Sequence, residues 1–417
     1  MPSLTRNESV QTIKGNNITI LDYIAEGGQG EVYKVDYKGQ KYALKWYKAP
    51  VPPQVFYDNL AKNVDRGAPN EHYLWPLMLT KPYKNSYGYI MELRRPEFHE
   101  FSEFLLNQAR FGSYEVMISA ALNIVESFRL LHSLGFSYQD VNEGSFFINP
   151  ADGDVLICDN DNVAPNLVNL GVRGMPRYMA PEVVIDATRP NTQTDRFSLA
   201  VLLFRLFYID HPLEGKYTNN LPMMDSTGAH MYGVSPIFCY DPSNEKNRPD
   251  PESQPNVIKR WNMFPPDLQM TFVRAFTKGL KNPNDRITEN EWEEALIRTR
   301  AMLVSLSGRE QFVNCYAKQK IPEGCRIIKF DDYPSIVADG SKLYLCQVDS
   351  RSVDHDTVAA VIRASLSDKA VLGIGNLTDT VWKLSVDGHE TEIGKNGFAR
   401  LARGETIEFN GVKATVL

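Results

Sequence analysis

Cysteine is scarce in this chain. Five in 417 residues is a sparse and odd count, which excludes the paired framework that staples small secreted domains. An excess of positive charge is missing as well. Lys plus Arg is 45 against 51 Asp plus Glu, a net of −6. That balance argues against nucleic acid as a partner, because phosphate backbones select basic surfaces; a local basic pocket for phosphate stays compatible with it. No long hydrophobic run is present. The longest, Leu199 to Ile209, is interrupted by Arg205 and is too short to cross a bilayer. The opening MPSLTRNESV lacks the charged-then-apolar pattern of a secretory leader. We therefore expect a cytoplasmic protein with no membrane association. The seven histidines show no metal-ligand spacing, and Cys315, Cys325 and Cys346 contain no close Cys-x-x-Cys pair of the kind zinc sites use.

What is present is an ordinary globular composition, 43% hydrophobic and 23% charged, over a length that suggests two or three domains. From Ile18 to Leu93 short alternating stretches predict strands: ITILDYI, EVYKVDY, KYALKWY and YGYIMEL, with Lys38-Gly39 as a turn. A helical stretch from about Pro53 to Val64 interrupts them. From Ser102 to about Arg300 the helical period dominates. Met117, Ala121, Ile124, Phe128 and Leu131 form one apolar stripe, and Asp195 to Ile209 reads as a helix buried on all sides. Residues 211–266, rich in Pro, Asn, Asp and Ser, predict an irregular insertion that suits a partner or substrate surface. After about Ser305 the pattern returns to alternation, in IIKF, KLYLCQV, VWKLSVDG, HETEIG, FARLA and ETIEF. Gly and Asp-Gly turns punctuate it, and the tail reads as a small all-β domain.

Ala25-Glu26-Gly27-Gly28-Gln29-Gly30-Glu31-Val32 joins two predicted strands. Glycines there let backbone N–H groups approach phosphate. Strand following strand disfavours a dinucleotide fold or a Walker loop, both of which need a helix next. A ligand-free hairpin is the plain alternative. Lys45, in Tyr42-Ala43-Leu44-Lys45, lies on a neighbouring strand and is placed to hold phosphate oxygens. The segment SYQDVNEGSFFINPADGDVLICDND carries the densest chemistry. Two strands folded about Pro150-Ala151-Asp152-Gly153 pair residues whose numbers sum to about 303. Ser145 then faces Cys158 and Asp159 lies beside Gly144, with Asp140 upstream in the same loop. Such a cluster suits Mg²⁺ and a base for a hydroxyl.

These segments resemble, in order, the signatures of eukaryotic-like protein kinases. They are the glycine loop, YALK, YQD, DND, Arg177-Tyr178-Met179-Ala180-Pro181-Glu182, Asp195-Arg196-Phe197-Ser198-Leu199 and Asn282-Pro283-Asn284-Asp285-Arg286. The resemblance covers about 18–300 and is greatest to bacterial kinases with a C-terminal β domain, some found beside von Willebrand A-domain proteins and PP2C-type phosphatases. It implies an α+β, two-lobed kinase-like fold followed by a small all-β domain. The lobes are expected at 1–93 and 94–303, the latter with the 211–266 insertion, and the accessory domain at 304–417.

The resemblance also implies roles. Ala25, Gly27, Gly28 and Gly30 line the ATP phosphates, and Lys45 contacts the α and β phosphates. Val32 and Ala43 pack on adenine. Met91 is the gatekeeper, with Glu92 and Leu93 leading the hinge. Asp140 is the catalytic base, and Asp159, with Ser145, holds Mg²⁺ or Mn²⁺. Glu182 and Arg286 form a structural ion pair.

The chain departs from the pattern at five places. Ala25 replaces the first loop glycine, and Tyr138-Gln139 replace His-Arg. Ser145 stands where asparagine is usual, with Asn142 as a nearby substitute. Asn160-Asp161 replace Phe-Gly. No glutamate on the small-lobe helix matches the usual partner of Lys45, the nearest acid being Asp58. Between Asp159 and Glu182 there is no serine or threonine, so switching by phosphorylation of that segment is not expected. The expectation is ATP- and Mg²⁺-dependent phosphorylation of protein hydroxyls, Ser/Thr foremost, in a bacterial signalling system. The alternative is a pseudokinase, a nucleotide-binding scaffold without turnover. A small-molecule kinase is a third reading, opposed by Ala-Pro-Glu. In the tail, Ala399 to Phe409 faintly resembles the closing strands of a forkhead-associated domain, without its phosphothreonine-reading pattern.

Overall fold

Two-residue alternation in the N-terminal part builds a twisted antiparallel sheet in the order β1-β2-β3-β4-β6-β5. Its strands are β1 (Ser9–Gln11), β2 (Asn17–Glu26), β3 (Gly30–Tyr37), β4 (Gln40–Tyr47), β5 (Met78–Leu79) and β6 (Gly88–Glu92). The computed structural model describes residues 2–220, 228–316, 321–386 and 389–417. Lys38 and Gly39 both take positive φ, 56° and 80°, as a two-residue hairpin turn demands. Alternation sends Leu44 and Trp46 into one core with Ile18, Ile20 and Val35. It sends Ala43 and Tyr47 to the other face, against Phe56 and Leu60 of helix α1 (Gln54–Arg66). Lys45 therefore lies on the helix-facing side of the sheet. The alternation pattern did not include β1, which is three residues long and buries only Val10.

The larger lobe is organised by α2 (Tyr114–Ser133) and α3 (Thr192–Tyr208). On α2 the stripe Met117, Ala121, Ile124, Phe128 and Leu131 is buried, and Ser113 caps the helix by accepting from Val116 N. On α3 fourteen residues are buried and Asn191 and Thr194 form a capping box, so no face is left for solvent. Between these helices, β7 (Phe146–Ile148) and β8 (Val155–Ile157) pair Phe146 with Ile157 and Ile148 with Val155. The register is the sum of 303 expected from the turn. Among the described residues, the longer helices that follow are α4 (Pro255–Trp261), α5 (Pro266–Ala275) and α6 (Glu289–Ala301). In the expected insertion, short helical segments at Lys216–Asn219, Ala229–Val234 and Glu245–Asn247 precede α4; its residues 221–227 lie outside the described residues.

After α6 comes a hairpin, β9 (Leu303–Leu306) and β10 (Arg309–Phe312). Among the described residues ten further strands follow: β11 (Arg326–Phe330), β12 (Pro334–Val337), β13 (Lys342–Tyr344), β14 (Val358–Ala364), β15 (Leu372–Asn376), β16 (Trp382–Val386), β17 (His389–Ile393), β18 (Phe398–Arg400), β19 (Thr406–Glu408) and β20 (Lys413–Val416). They form two sheets, β12-β11-β20-β19-β16-β17 and β13-β14-β15-β18, around Ile328, Leu343, Ile362, Ile374, Trp382 and Ile407. The chain thus has a two-lobed kinase-like fold followed by an all-β domain.

The alternation pattern did not include β12, β14, β15 or β20, and one stretch that it did include changes form. KLYLCQV does not continue as a strand: Leu345–Val348 coils into a helical turn, with Gln347 Oε1 accepting from Tyr344 N. β15 escaped the pattern because Gly373 and Gly375 supply no side chain. A Cβ at either would lie 2.8 or 2.4 Å from the Phe398 ring that fills the space. The expected Asp387-Gly388 turn lies outside the described residues. The β domain rests on the large lobe through Tyr344, whose hydroxyl donates to Glu115. The Arg300 guanidinium lies 3.6 Å over the same ring. Among the described residues no helix is long and apolar enough to cross a membrane.

Candidate active site

The hairpin β2–β3 turns through Gly27-Gly28-Gln29. Gly27 N donates to Gly30 O at 2.8 Å, and a Cβ on Gly28 would meet nothing within 4 Å. Gly30 has a different constraint. A Cβ there would sit 2.6 Å from Trp46 O, so close packing of β3 on β4 already demands a glycine. Across the sheet, Ala43 pairs with Met91 and Tyr42 with Glu92. Val32, Ala43, Met91 and Leu93 share one apolar cluster with Leu156, Phe147 and Cys158 from below. The arrangement suits the two faces of a planar base. Leu156 escaped the sequence reading; the hairpin register, which turns it toward the same cluster, is the signal that could have found it.

The loop after α2 is fixed by a buried acid. Asp195 accepts from Tyr138 N at 2.6 Å and from Gln139 N at 3.0 Å. His132 bridges Asp195 and Glu289 at 3.1 and 2.9 Å, and Arg196 holds Glu289 in turn. Asp140 projects from this clamped backbone, with Asn142 Nδ2 donating to its main-chain oxygen. Burial, reinforced by the negative charge of Asp159, pushes the Asp140 carboxyl up to about 6.

Asp159 follows β8 in the left-handed region, φ 55° and ψ 33°, which few residues other than glycine adopt. That kink aims its carboxylate at Lys45. The Lys45 Nζ lies 2.9 Å from Asp159 Oδ1, and Ser145 Oγ lies 3.4 Å from Asp159 Oδ2. Burial alone would raise the Asp159 carboxyl, but the adjacent ammonium holds it below its ordinary range. Burial would lower the Lys45 ammonium, but the Asp159 and Asp161 carboxylates hold it well above its ordinary range. The Asp159 side chain keeps 39% exposure against 8% for Lys45. Ser145 is fully buried behind it, so the cleft-facing oxygen donor is Asp159, and the Ser145 hydroxyl steadies it. At the loop tip, Gln29 Nε2 reaches Asn162 Oδ1 at 3.4 Å, spanning the cleft.

The structure therefore brings Lys45, Asp159, Ser145 and Asp140 together. Asp58, the nearest helix acid, is exposed and accepts from Gln54 Nε2 at 2.7 Å; it does not meet Lys45. The second carboxylate on Lys45 is Asp161, at 2.9 Å. The sequence reading missed Asp161, although an α1 with no acid on its buried face requires the counter-charge to come from elsewhere. Further out, Arg286 Nη1 and Nη2 grip both oxygens of Glu182 at 2.7 and 2.8 Å.

The donors present fit a magnesium nucleotide. Hard carboxylate oxygen suits Mg²⁺, which is usually held by one or two carboxylates together with substrate phosphates. Among the described residues no cluster of three His, Cys, Asp or Glu forms a cage for a metal.

Residues 18–294 match the family model described as a protein kinase domain. Relatives include the protein kinase YegI of Escherichia coli K12, 26% identical over 317 residues, covering 71% of this chain and 47% of that protein. Another is the RGS domain-containing serine/threonine-protein kinase A of Dictyostelium discoideum, 25% identical over 299 residues, covering 67% of this chain and 24% of that protein. The chain spans about half the length of its Escherichia coli relatives. Among solved structures, the Mycobacterium tuberculosis PknI kinase domain matches with a TM-score of 0.48 and 16% identity, covering 70% of this chain and 98% of that one.

Proposed function

The chain belongs to the protein kinase family, and on that premise we propose that it transfers the γ-phosphoryl group of ATP to hydroxyls of protein substrates, Ser/Thr foremost. The observation that carries the proposal is the convergence of Lys45 on Asp159, 114 residues apart in sequence and 2.9 Å apart in space. Asp140 stands close enough for the charge of Asp159 to shift it.

In this reading Lys45 contacts the α and β phosphates, while Ala43, Val32, Met91 and Leu93 enclose the base. Glu92 and Leu93 carry the hinge backbone, and Ala25, Gly27 and Gly28 border the phosphates. Asp159 is the metal ligand, with Ser145 bonded behind it. When bound, Mg²⁺ or Mn²⁺ would neutralise charge developing on the transferred phosphoryl group. Asp140 accepts the acceptor hydroxyl's proton and orients its oxygen. The reaction is mostly positioning and charge neutralisation, which preorganised groups supply without moving.

Asp140 lying among buried and charged neighbours supports a general base, since raised carboxyls serve proton transfer near neutral pH. The Ala180-Pro181-Glu182 segment, anchored on Arg286, supports a platform for protein substrates. The proposal extends to cytoplasmic bacterial signalling, with von Willebrand A-domain and PP2C-type phosphatase partners, and to domain limits near residues 93 and 303. A pseudokinase is the second reading, favoured by the burial of Ser145 and by the Gln29–Asn162 contact across the cleft.

The test is incubation of the purified protein with γ-labelled ATP and Mg²⁺ or Mn²⁺, beside D140N. Label on protein with the wild type alone is expected. Label in both, or in neither, overturns the proposal.

A further inference from the structure

Lys45 is held by two carboxylates of unlike character. Asp159 keeps part of its side chain exposed at the cleft. Asp161 has no exposure at all. Around Asp161 the donors are complete. Lys45 Nζ and Tyr89 OH donate to Oδ1 at 2.9 and 3.1 Å, and Tyr47 OH donates to Oδ2 at 2.6 Å. Tyr47 sits two residues beyond Lys45 on β4, and Tyr89 is the cross-strand partner of Lys45 on β6. The sheet therefore delivers three donors to one face at one spot.

Helix α1 meets this region without charge. Its buried residues are Phe56, Asn59, Leu60 and Asn63. The Nδ2 groups of Asn59 and Asn63 both donate to Val163 O at 2.8 Å. Asp58 and Asp65 face solvent. The helix is tied to the segment after Asp161 by amides, and it contributes no carboxylate to Lys45.

From this arrangement we propose that Asp161 is the permanent counter-ion and positioning residue of Lys45. Asp159 is the exchangeable one, free to turn to a metal. A lysine that held only Asp159 would lose its anchor whenever that carboxylate engaged a cation. With Asp161 behind it, the ammonium keeps a fixed partner on a rigid sheet. It can contact phosphate oxygens with its remaining protons, an ammonium having three. A second consequence concerns regulation. Since the counter-ion belongs to the segment after β8 and not to α1, the charge on Lys45 is met without a carboxylate from that helix. The charge is in place without an activating shift of that helix. The inference deepens the phosphotransfer reading and rests on it for the catalytic role, while the ion pair itself stands or falls independently.

The test uses the full chain with D161N, D159N, K45M, K45M/D161N, K45M/D159N and, as a control on the helix, D58N. Thermal unfolding gives two double-mutant cycles that need no activity. Removing one member of a buried pair strands the other charge, whereas removing both does not. The Lys45/Asp161 cycle is expected to show the larger coupling, with K45M/D161N unfolding cooperatively and at a higher temperature than D161N alone. Should D161N not fold, recovery of a folded protein in K45M/D161N demonstrates the same coupling. A Lys45/Asp161 coupling no larger than that of Lys45/Asp159, or no recovery in the double variant, overturns the proposal.

Kinetics give the second readout. D161N is expected to lower kcat by about 100-fold, the scale of a misplacement near 1 Å, with a smaller change in the KM for ATP. D58N is expected to keep wild-type values. If the wild type transfers phosphate and D161N retains its kcat, the positioning role falls while the function stands. If the cycles behave as expected and the wild type transfers nothing, the function falls and the ion pair stands.

Discussion

Asn169 Nδ2 donates to Gln139 Oε1 at 3.1 Å, so the loop carrying Asp140 and the segment after Asp159 are joined by two neutral amides. Gln139 Nε2 completes the tie by donating to Val168 O at 2.6 Å and Ser137 Oγ at 3.0 Å. A cation in place of Gln139 would need a phosphate to neutralise it; an amide pair is satisfied as it stands. Residues 159–182 hold no Ser or Thr, and the one tyrosine, Tyr178, is buried with its hydroxyl accepting from Arg205.

The segment is therefore expected to be ordered without modification. Mass spectrometry of protein incubated with ATP should find no stoichiometric phosphate in residues 159–182. Q139A should lower activity by breaking the tie. A required phosphosite in the segment would refute this.

Asp140 and Asp159 should separate cleanly by variant. D140N and D159N are each expected to abolish phosphotransfer while keeping the fold. D159N alone should weaken nucleotide binding in a Mg²⁺-dependent way, because its carboxylate is the cleft-facing hard ligand. Calorimetric titration with a nonhydrolysable ATP analogue, with and without Mg²⁺, checks it. Equal loss in both variants would contradict the assignment.

The pH response has two parts with opposite signs. A base must be deprotonated, and Asp140 sits at about 6, so turnover should rise with pH through about 6 and then level. Stability moves the other way. Burial would lower His132, but the Asp195 and Glu289 carboxylates override it and lift the imidazole to about 9. Its folded pKa lies above the unfolded value near 6.5, so its contribution is complete below that value and is lost as pH rises through about 9. The linkage amounts to roughly 3 kcal/mol. His355, also raised to about 9, lies beside Asp356 and Glu126 and titrates in the same window. Urea unfolding from pH 6 to 10 should show falling stability. H132Q should remove part of the slope, and H132Q/H355Q most of it.

Two glycines of the loop should respond differently to the same change. G28A meets open space and should fold normally, with any loss confined to nucleotide affinity. G30A places a methyl 2.6 Å from Trp46 O, contacting backbone that cannot swing aside, and should destabilise the β3–β4 pair by about 1–3 kcal/mol. Comparing thermal midpoints with ATP-analogue affinity distinguishes the two. A G30A protein as stable as G28A would show that the sheet yields there.

Much of this could be read in the linear chain because the governing forces are local. Strand alternation put Lys45 on the face of Ala43 and Tyr47. The turn at residues 150–153 set the 303 register, and with it Ser145 beside Asp159. The buried stripe of α2 followed from spacing alone. Motif order then pointed to the family, which the match over residues 18–294 shows.

The choice of charge partner was not local. In the linear chain, Asp58 and Asp161 are both acids at unknown distance from Lys45, and proximity along the helix favours the wrong one. Only the fold turned Asp58 to solvent and closed two tyrosine hydroxyls around Asp161. Spacing tells which face a side chain takes, but an ion pair forms where desolvation, donors and opposite charge coincide in three dimensions. That coincidence is a property of packing.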